Sequence, residues 1–321
     1  MYTIIKKCRI CSSKNLIDIL NLGSQTLANN FSKLKKKQKR IPLKLCICSS
    51  CKLLQISASV NPLKLFSSYF WVTSTSRGAK NFSKTFSEFI LKKLNKPNYV
   101  LEIASNDGLF LKRFQSKNFK VLGVEPATNL AKLANQKKIK TIKKFFDLNT
   151  SKYIKRKFGM PDIIIARNVI PHVKNIKSVI KGLQNLISNK GIVAVEFHYS
   201  GNILKHLQYD SIYHEHLFYF SATTIIKSFK RFNLYAFDID NSPISGGAII
   251  IYFSKKKLNL SKKLKQFLIN ENLSKINSIS NWKLFGKKCV QHSKNLKKII
   301  LNLSKEKYPL IGYGVSARSS T

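Results

Sequence analysis

The residues most able to do chemistry lie in one short stretch. Glu196-Phe-His-Tyr199 leads into Tyr213-His-Glu-His216, a cluster of ionisable groups in a segment without a strong secondary-structure pattern. Such segments, carried on a rigid scaffold, are where function concentrates. A neutral histidine takes a proton near neutral pH, a neighbouring carboxylate raises its basicity or fixes its tautomer, and a tyrosine hydroxyl hydrogen-bonds a developing enolate oxygen. Acid/base chemistry is the leading expectation. A metal site and a purely structural polar cluster are the alternatives. His214 and His216 in an extended segment point to opposite faces, which makes joint ligation awkward.

Two further motifs have recognisable chemistry. Cys8-Arg-Ile-Cys11 and Cys48-Ser-Ser-Cys51 supply four thiolates at the spacing of a tetrahedral zinc site. With every position filled by sulfur, such a zinc is structural and contributes folding energy. Cys46 also lies within reach and could substitute for Cys48; buried free thiols are the plain alternative. Leu101-Glu-Ile-Ala-Ser-Asn-Asp-Gly108 follows an apolar run and ends in a turn, the place where open α/β sheets bind nucleotides. Ala104 is small enough for close backbone approach, Asn106 and Asp107 offer polar contacts, and Gly108 permits the tight turn. About twenty residues on, Glu125 ends a second apolar run and is placed to accept from both ribose hydroxyls. The stretch lacks a full GxGxxG and a P-loop lysine, which disfavours dinucleotides and nucleoside triphosphates.

The surrounding pattern supplies the elements that must hold these groups. Strands are expected at Tyr99–Ile103, Lys120–Val124, Pro161–Ala166 and Ile192–Glu196, alternating with helices at Leu109–Phe114, Ala127–Gln136 and Ile176–Ile187. That alternation predicts an α/β chain with a doubly wound parallel sheet. Residues 197 to 221 read as irregular. A helix near Thr223–Lys230 and strands near Leu234–Asp238 and Ala248–Phe253 follow, and residues 256 to 307 read as helical and lysine-rich. The expected domains are a zinc-binding domain over 1–63, a bridging segment over 64–96, a core over 97–255 and a helical segment over 256–321.

Bulk properties narrow the function classes. A chain of 321 residues that is 44% hydrophobic can bury a full core, so it is not disordered. No apolar leader follows Met1, and the apolar runs at Ile163–Ala166 and Ala248–Phe253 are too short to span a bilayer, so a cytoplasmic protein without a membrane partner is expected. The formal charge of +44 suggests nucleic acid at first sight. Only eight of the 58 basic residues are arginine, however, and the lysines are strewn along the chain without an aromatic-interleaved stripe. A solvated basic surface is the expectation, with no nucleic-acid partner. Nothing fixes the oligomeric state, and a monomer is compatible with the sequence.

Taken together, the ordered motifs resemble the sugar C-methyltransferases that act on nucleotide-linked deoxy keto sugars. The likeness runs from Cys8 to Thr321 through CRIC, Asn21-Leu-Gly23, CSSC with Leu53-Leu-Gln55, LEIASNDG, GVEPATNLA, ARNVIPHV, YHEHLFYFS and Gly246-Gly247. It implies a class I (Rossmann-like) methyltransferase core in which Glu102, Ala104, Asn106, Asp107, Gly108, Glu125 and Asn168 line an S-adenosylmethionine site. It also implies that His172, Tyr213, Glu215 and His216 surround the sugar, with His216 the base and Tyr69 an added contact. Two departures stand out: Ala104 occupies a position where the family usually has glycine, and Arg167 precedes Asn168 where a smaller or amide residue is usual and could alter the pocket. The stretch Tyr308 to Arg318 resembles the opening of the family's C-terminal Rossmann-like domain, so a truncated substrate domain is expected. The competing readings are a partial methyltransferase that binds S-adenosylmethionine only, and a zinc-ribbon nucleic-acid-binding protein.

Overall fold

A computed structural model of the chain describes residues 2–29, 38–244, 246–305, 309–311 and 317–320. Tyr308 and residues 312–316 of the expected glycine turn lie outside the described residues, as does most of the lysine run between the two CxxC pairs.

In chain order the elements begin with five strands, β1 (Tyr2–Ile4), β2 (Leu16–Gln25), β3 (Ile41–Cys48), β4 (Leu54–Ile56) and β5 (Ala58–Val60), and two helices, α1 (Pro62–Phe66) and α2 (Arg77–Leu91). An alternating run follows: β6 (Tyr99–Ile103), α3 (Leu109–Gln115), β7 (Lys120–Val124), α4 (Thr128–Gln136), β8 (Thr141–Ile142), α5 (Leu148–Phe158), β9 (Ile163–Arg167), α6 (Ile176–Leu186) and β10 (Ile192–His198). The remainder is α7 (Ser200–Lys205), β11 (Phe218–Tyr219), α8 (Ala222–Lys230), β12 (Tyr235–Ser242), β13 (Ala248–Ser254), α9 (Lys262–Leu273) and α10 (Ile279–Leu303).

These elements form two compact units. One comprises residues 61–199 and 222–271 and contains a seven-stranded sheet in the order β12-β13-β10-β9-β6-β7-β8. Strands β6 to β10 pair in parallel, whereas β13 runs antiparallel to both β10 and β12. Every residue of β6 and β10 is buried, as expected when helices cover both faces of a parallel sheet. Successive strands run outward from β6 in one direction to β8 and in the other from β9 to β10, so the order reverses between β6 and β9. The crevice at that reversal is where such sheets hold ligands. Helix α2 is fixed by Ser76, whose side chain accepts from the Ala79 amide, and buries Phe82, Phe86 and Ile90 against Phe110 and Phe114 of α3.

The other unit comprises residues 1–60, 200–221 and 272–321. Its main sheet has the order β11-β4-β3-β2, and β1 pairs with β5 beside it. Residues 197 to 221 are therefore not wholly irregular. They form α7 and then β11, which joins the N-terminal sheet with Phe218 opposite Gln55 and Tyr219 opposite Leu54. Two residues are too few for an alternation to be visible in sequence; their partners lie some 160 positions away. Helix α10 crosses β2 at Gly286, where a β-carbon would meet the Ile19 carbonyl oxygen, and it buries Trp282, Phe285 and Cys289.

Candidate functional site

In the larger unit the candidate cofactor residues gather at the carboxyl ends of β6, β7 and β9. Three residues of the loop after β6 have left-handed backbone, Ala104 at φ 53°, Asn106 at 52° and Gly108 at 78°. Gly108 has a second constraint, since a β-carbon there would come within 2.9 Å of Ile139. Glu125, just past β7, accepts from the amides of Asn106 at 2.8 Å and Ala127 at 2.9 Å, one on each carboxylate oxygen. Burial raises its pKa while those two amides oppose the rise. Asn106 is itself pinned, its Oδ1 accepting from the Thr73 amide at 2.9 Å and its Nδ2 donating to the Trp71 carbonyl at 3.0 Å. The segment before α2 thus closes over the loop. Asp107 pairs with Lys137 at 2.5 Å. Asn168 follows β9 with φ 47° and donates its amide to the Glu196 carbonyl at 2.8 Å.

Glu102 is buried within β6, and burial pushes its carboxyl up to about 8, with Glu196, Asp107 and Glu125 adding to the rise and Arg167 opposing it. Oε2 of Glu102, Oδ1 of Asp107 and Oγ of Ser105 are buried without a hydrogen-bond partner among the described residues. Orphaned polar atoms beside a left-handed loop at the reversal point fit a polar ligand such as S-adenosylmethionine. Arg167 is nearly buried and packs against an acid and an aromatic ring. Its Nε lies 2.6 Å from the Glu196 carboxylate, and its guanidinium sits 3.3 Å from the centroid of Phe110. In the same unit, Tyr69 exchanges backbone hydrogen bonds with the Asn129 side chain at 3.1 and 2.6 Å. Phe66 lies between the Tyr69 ring, 6.0 Å away, and the edge-on His172 ring, 5.7 Å away.

Tyr213, Glu215 and His216 belong to the other unit. The His216 amide donates to the Tyr213 carbonyl at 3.0 Å, so the segment is a turn where sequence suggested an extended run, and the two side chains come to one side. The His216 Nδ1 lies 3.2 Å from the Ser211 carbonyl, which can only accept; Nδ1 therefore carries the proton. Nε2 lies 3.0 Å from the Tyr213 hydroxyl, within hydrogen-bond distance. Burial raises the Tyr213 phenol above its ordinary value, Glu215 adds to the rise and Arg318 opposes it. Glu215 is buried and accepts from the Asn29 side chain. His214 turns elsewhere, with Nε2 3.2 Å from the Ile41 carbonyl, and burial lowers its pKa.

The same unit gathers the cysteines. The sulfurs of Cys8, Cys11, Cys48 and Cys51 all lie within 4.8 Å of one another, with Cys8 and Cys51 3.6 Å apart and Cys11 and Cys48 3.5 Å apart. A tetrahedron with zinc–sulfur bonds of about 2.3 Å has edges of about 3.8 Å, so the cluster fits that ion. The hydrogen bond with Cys8 and then burial push the Cys51 thiol up, whereas a divalent cation would hold both sulfurs as thiolates. Cys46 stands apart and donates to the Gln55 carbonyl at 3.2 Å.

Sequence reasoning missed several supporting groups. Lys137, Asn29 and the Ser211 carbonyl have no spacing signal, because each meets its partner only through the fold. Arg9 was visible between two cysteines, but its acceptors on β4 and β5 were not.

Residues 77–238 match the family model of a methyltransferase domain, residues 8–66 that of a zinc binding domain, and residues 243–321 that of a C-methyltransferase C-terminal domain. Over 253 residues the chain is 28% identical to the C-methyltransferase NovU of Streptomyces niveus, an alignment covering 77% of this chain and 60% of that protein. The chain thus spans about three fifths of the length of the curated relative it matches. Among solved structures, the PH0226 protein of Pyrococcus horikoshii aligns over 61% of this chain and 98% of its own at 14% identity and a TM-score of 0.45. An S-adenosylmethionine-dependent methyltransferase of Clostridium acetobutylicum aligns over 58% and 94% at 14% identity and a TM-score of 0.43.

Proposed function

The chain belongs to the methyltransferase-domain family, and on that footing we propose that it methylates a carbon beside the ketone of a nucleotide-linked deoxysugar. The match to a C-methyltransferase C-terminal domain and the likeness to a protein named as a C-methyltransferase support carbon as the acceptor. S-adenosylmethionine, when bound, supplies an electrophilic methyl group with a neutral thioether as leaving group. Glu125 would accept from its ribose hydroxyls, and Glu102, Ala104, Asn106, Asp107, Gly108 and Asn168 would line the rest of its site.

Carbon has no lone pair to offer, so a C–H proton next to the ketone must be removed and the resulting enolate held. The observation that carries this reading is the placement of the His216 ring, with Nδ1 3.2 Å from the Ser211 carbonyl and Nε2 3.0 Å from the Tyr213 hydroxyl; a proton held on Nδ1 by that carbonyl makes Nε2 the nitrogen able to act as base. Nε2 takes the proton. For that step the Tyr213 hydroxyl, kept protonated by its raised pKa, turns from Nε2 to the ketone oxygen on which charge develops, which frees the Nε2 lone pair. Glu215 offsets the positive charge of the imidazolium, and His172 and Tyr69 contact the sugar. The zinc of the four-cysteine cluster takes no part in bond making, since no coordination position remains for substrate.

The test is exchange in deuterium oxide. A thymidine diphosphate 4-keto deoxysugar incubated with the chain and S-adenosylhomocysteine is expected to take up deuterium next to the ketone. Absence of exchange above the chain-free rate contradicts base-assisted enolisation.

A further inference from the structure

Arg9 lies between two zinc ligands, yet its side chain leaves the metal knuckle. Its Nη1 donates to the Ile56 carbonyl at 2.7 Å and to the Gln55 side chain at 3.2 Å. Its Nη2 donates to Ser59 Oγ at 2.7 Å and to the Ala58 carbonyl at 3.3 Å. The fork of the guanidinium thus spans β4 and β5 at once, a geometry that an ammonium cannot reproduce. The same group lies 5.6 Å from the centroid of Phe218. Phe218 is on β11, whose register against β4 sets it opposite Gln55, and the Ile56 amide donates to the Leu217 carbonyl at 3.2 Å. One residue further, the Tyr219 hydroxyl donates to the Ser211 carbonyl at 3.4 Å, the same oxygen that receives Nδ1–H of His216.

We infer that Arg9 is a positioning residue which ties the zinc knuckle to the His216 ring through β4, β11 and the Ser211 carbonyl. The zinc then does more than close a small domain: by fixing Cys8 and Cys11 it fixes Arg9 between them, and Arg9 fixes the edge strand that begins two residues after His216. The contribution to turnover rests on His216 being the base; the linkage itself does not. Partners of this kind behind a reacting group typically matter about 10- to 100-fold.

The test uses the zinc-loaded full chain with Arg9→Met, and with Phe218→Leu as a second variant that removes the ring beneath the guanidinium but leaves the four acceptors of Arg9 in place. Long-range proton–nitrogen spectra of the His216 ring read its tautomer and its titration midpoint. Zinc content and titration with S-adenosylhomocysteine serve as controls. Both variants should keep one zinc per chain and bind S-adenosylhomocysteine within about twofold of the parent. The His216 ring should lose its single Nδ1–H tautomer and titrate at a shifted midpoint, and turnover should fall about 10- to 100-fold with little change in KM. Arg9→Lys should restore only part of the loss. A parental tautomer and midpoint in both variants overturns the linkage, whatever turnover does. A changed tautomer with undiminished turnover upholds the linkage and counts against His216 as the base.

Discussion

The proposed base, His216, has a different partner at each of its two ring nitrogens. Because the Ser211 carbonyl holds Nδ1–H of His216, replacing the ring by asparagine removes Nε2 without disturbing the cofactor residues, all of which belong to the other unit. His216→Asn should therefore leave S-adenosylhomocysteine affinity nearly unchanged and cut turnover about a hundredfold or more; steady-state kinetics alongside calorimetry separates the two. Ala104 is a strained residue, an alanine held at φ 53° where the L side chain is disfavoured by about 1–2 kcal/mol. Ala104→Gly should raise stability by about 1 kcal/mol, a few degrees in the melting temperature. A lowered melting temperature would argue against the left-handed loop. Glu102 makes a pH prediction. Its folded carboxyl is raised from 4.5 to about 8, so folding favours the protonated form; the stability this contributes is complete below pH 4.5 and is lost as pH rises through about 8. Glu102→Gln should flatten that decline, and denaturant melts across the window would reveal it.

Among the elements, what could be read in the sequence depended on length and on how local the partners are. The strands Tyr99–Ile103, Lys120–Val124 and Ala248–Ser254 were legible because each is mostly apolar, broken only by Glu102 in the first, by Lys120 at the start of the second and by Ser254 at the end of the third. Helix α5 was not read, because its buried face is only Thr150, Ser151 and Ile154 between lysines. The antiparallel β13 between β10 and β12 was legible as a strand but not in its place, since strand order is a property of crossovers. The YHEH segment shows the same limit at the site: its residue types suggest acid/base chemistry, while the turn that brings Tyr213 and His216 to one side, and the carbonyl beside Nδ1, come from contacts with no local pattern. Helix α10 offers an element-scale test. Gly286 lets it press against the Ile19 carbonyl, so Gly286→Ala should destabilise the chain by about 1–3 kcal/mol through a backbone clash that cannot relax cheaply. An unchanged denaturation midpoint would place α10 elsewhere.

For the whole molecule, the division of labour follows the chain's path. The candidate cofactor residues fall in one compact unit, whereas the four cysteines and the Tyr213–His216 pair fall in the other, because residues 200–221 leave the core sheet's unit to join the N-terminal strands. Removing zinc should accordingly act on one unit first. Chelation, or Cys8→Ser, is expected to abolish turnover and lower the stability of the zinc domain while S-adenosylhomocysteine affinity moves less than about threefold; parallel loss of both would contradict that separation. No described helix is long and apolar enough to cross a membrane. Transfer of the methyl group to carbon is measured directly with S-adenosylmethionine carrying a carbon-13 methyl group and a thymidine diphosphate 4-keto deoxysugar, followed by carbon NMR of the product. The expected product carries a labelled methyl coupled to a ring carbon next to the ketone, and its formation depends on His216. A label bound to oxygen, or transfer that persists undiminished in His216→Asn, would contradict base-assisted methylation of carbon.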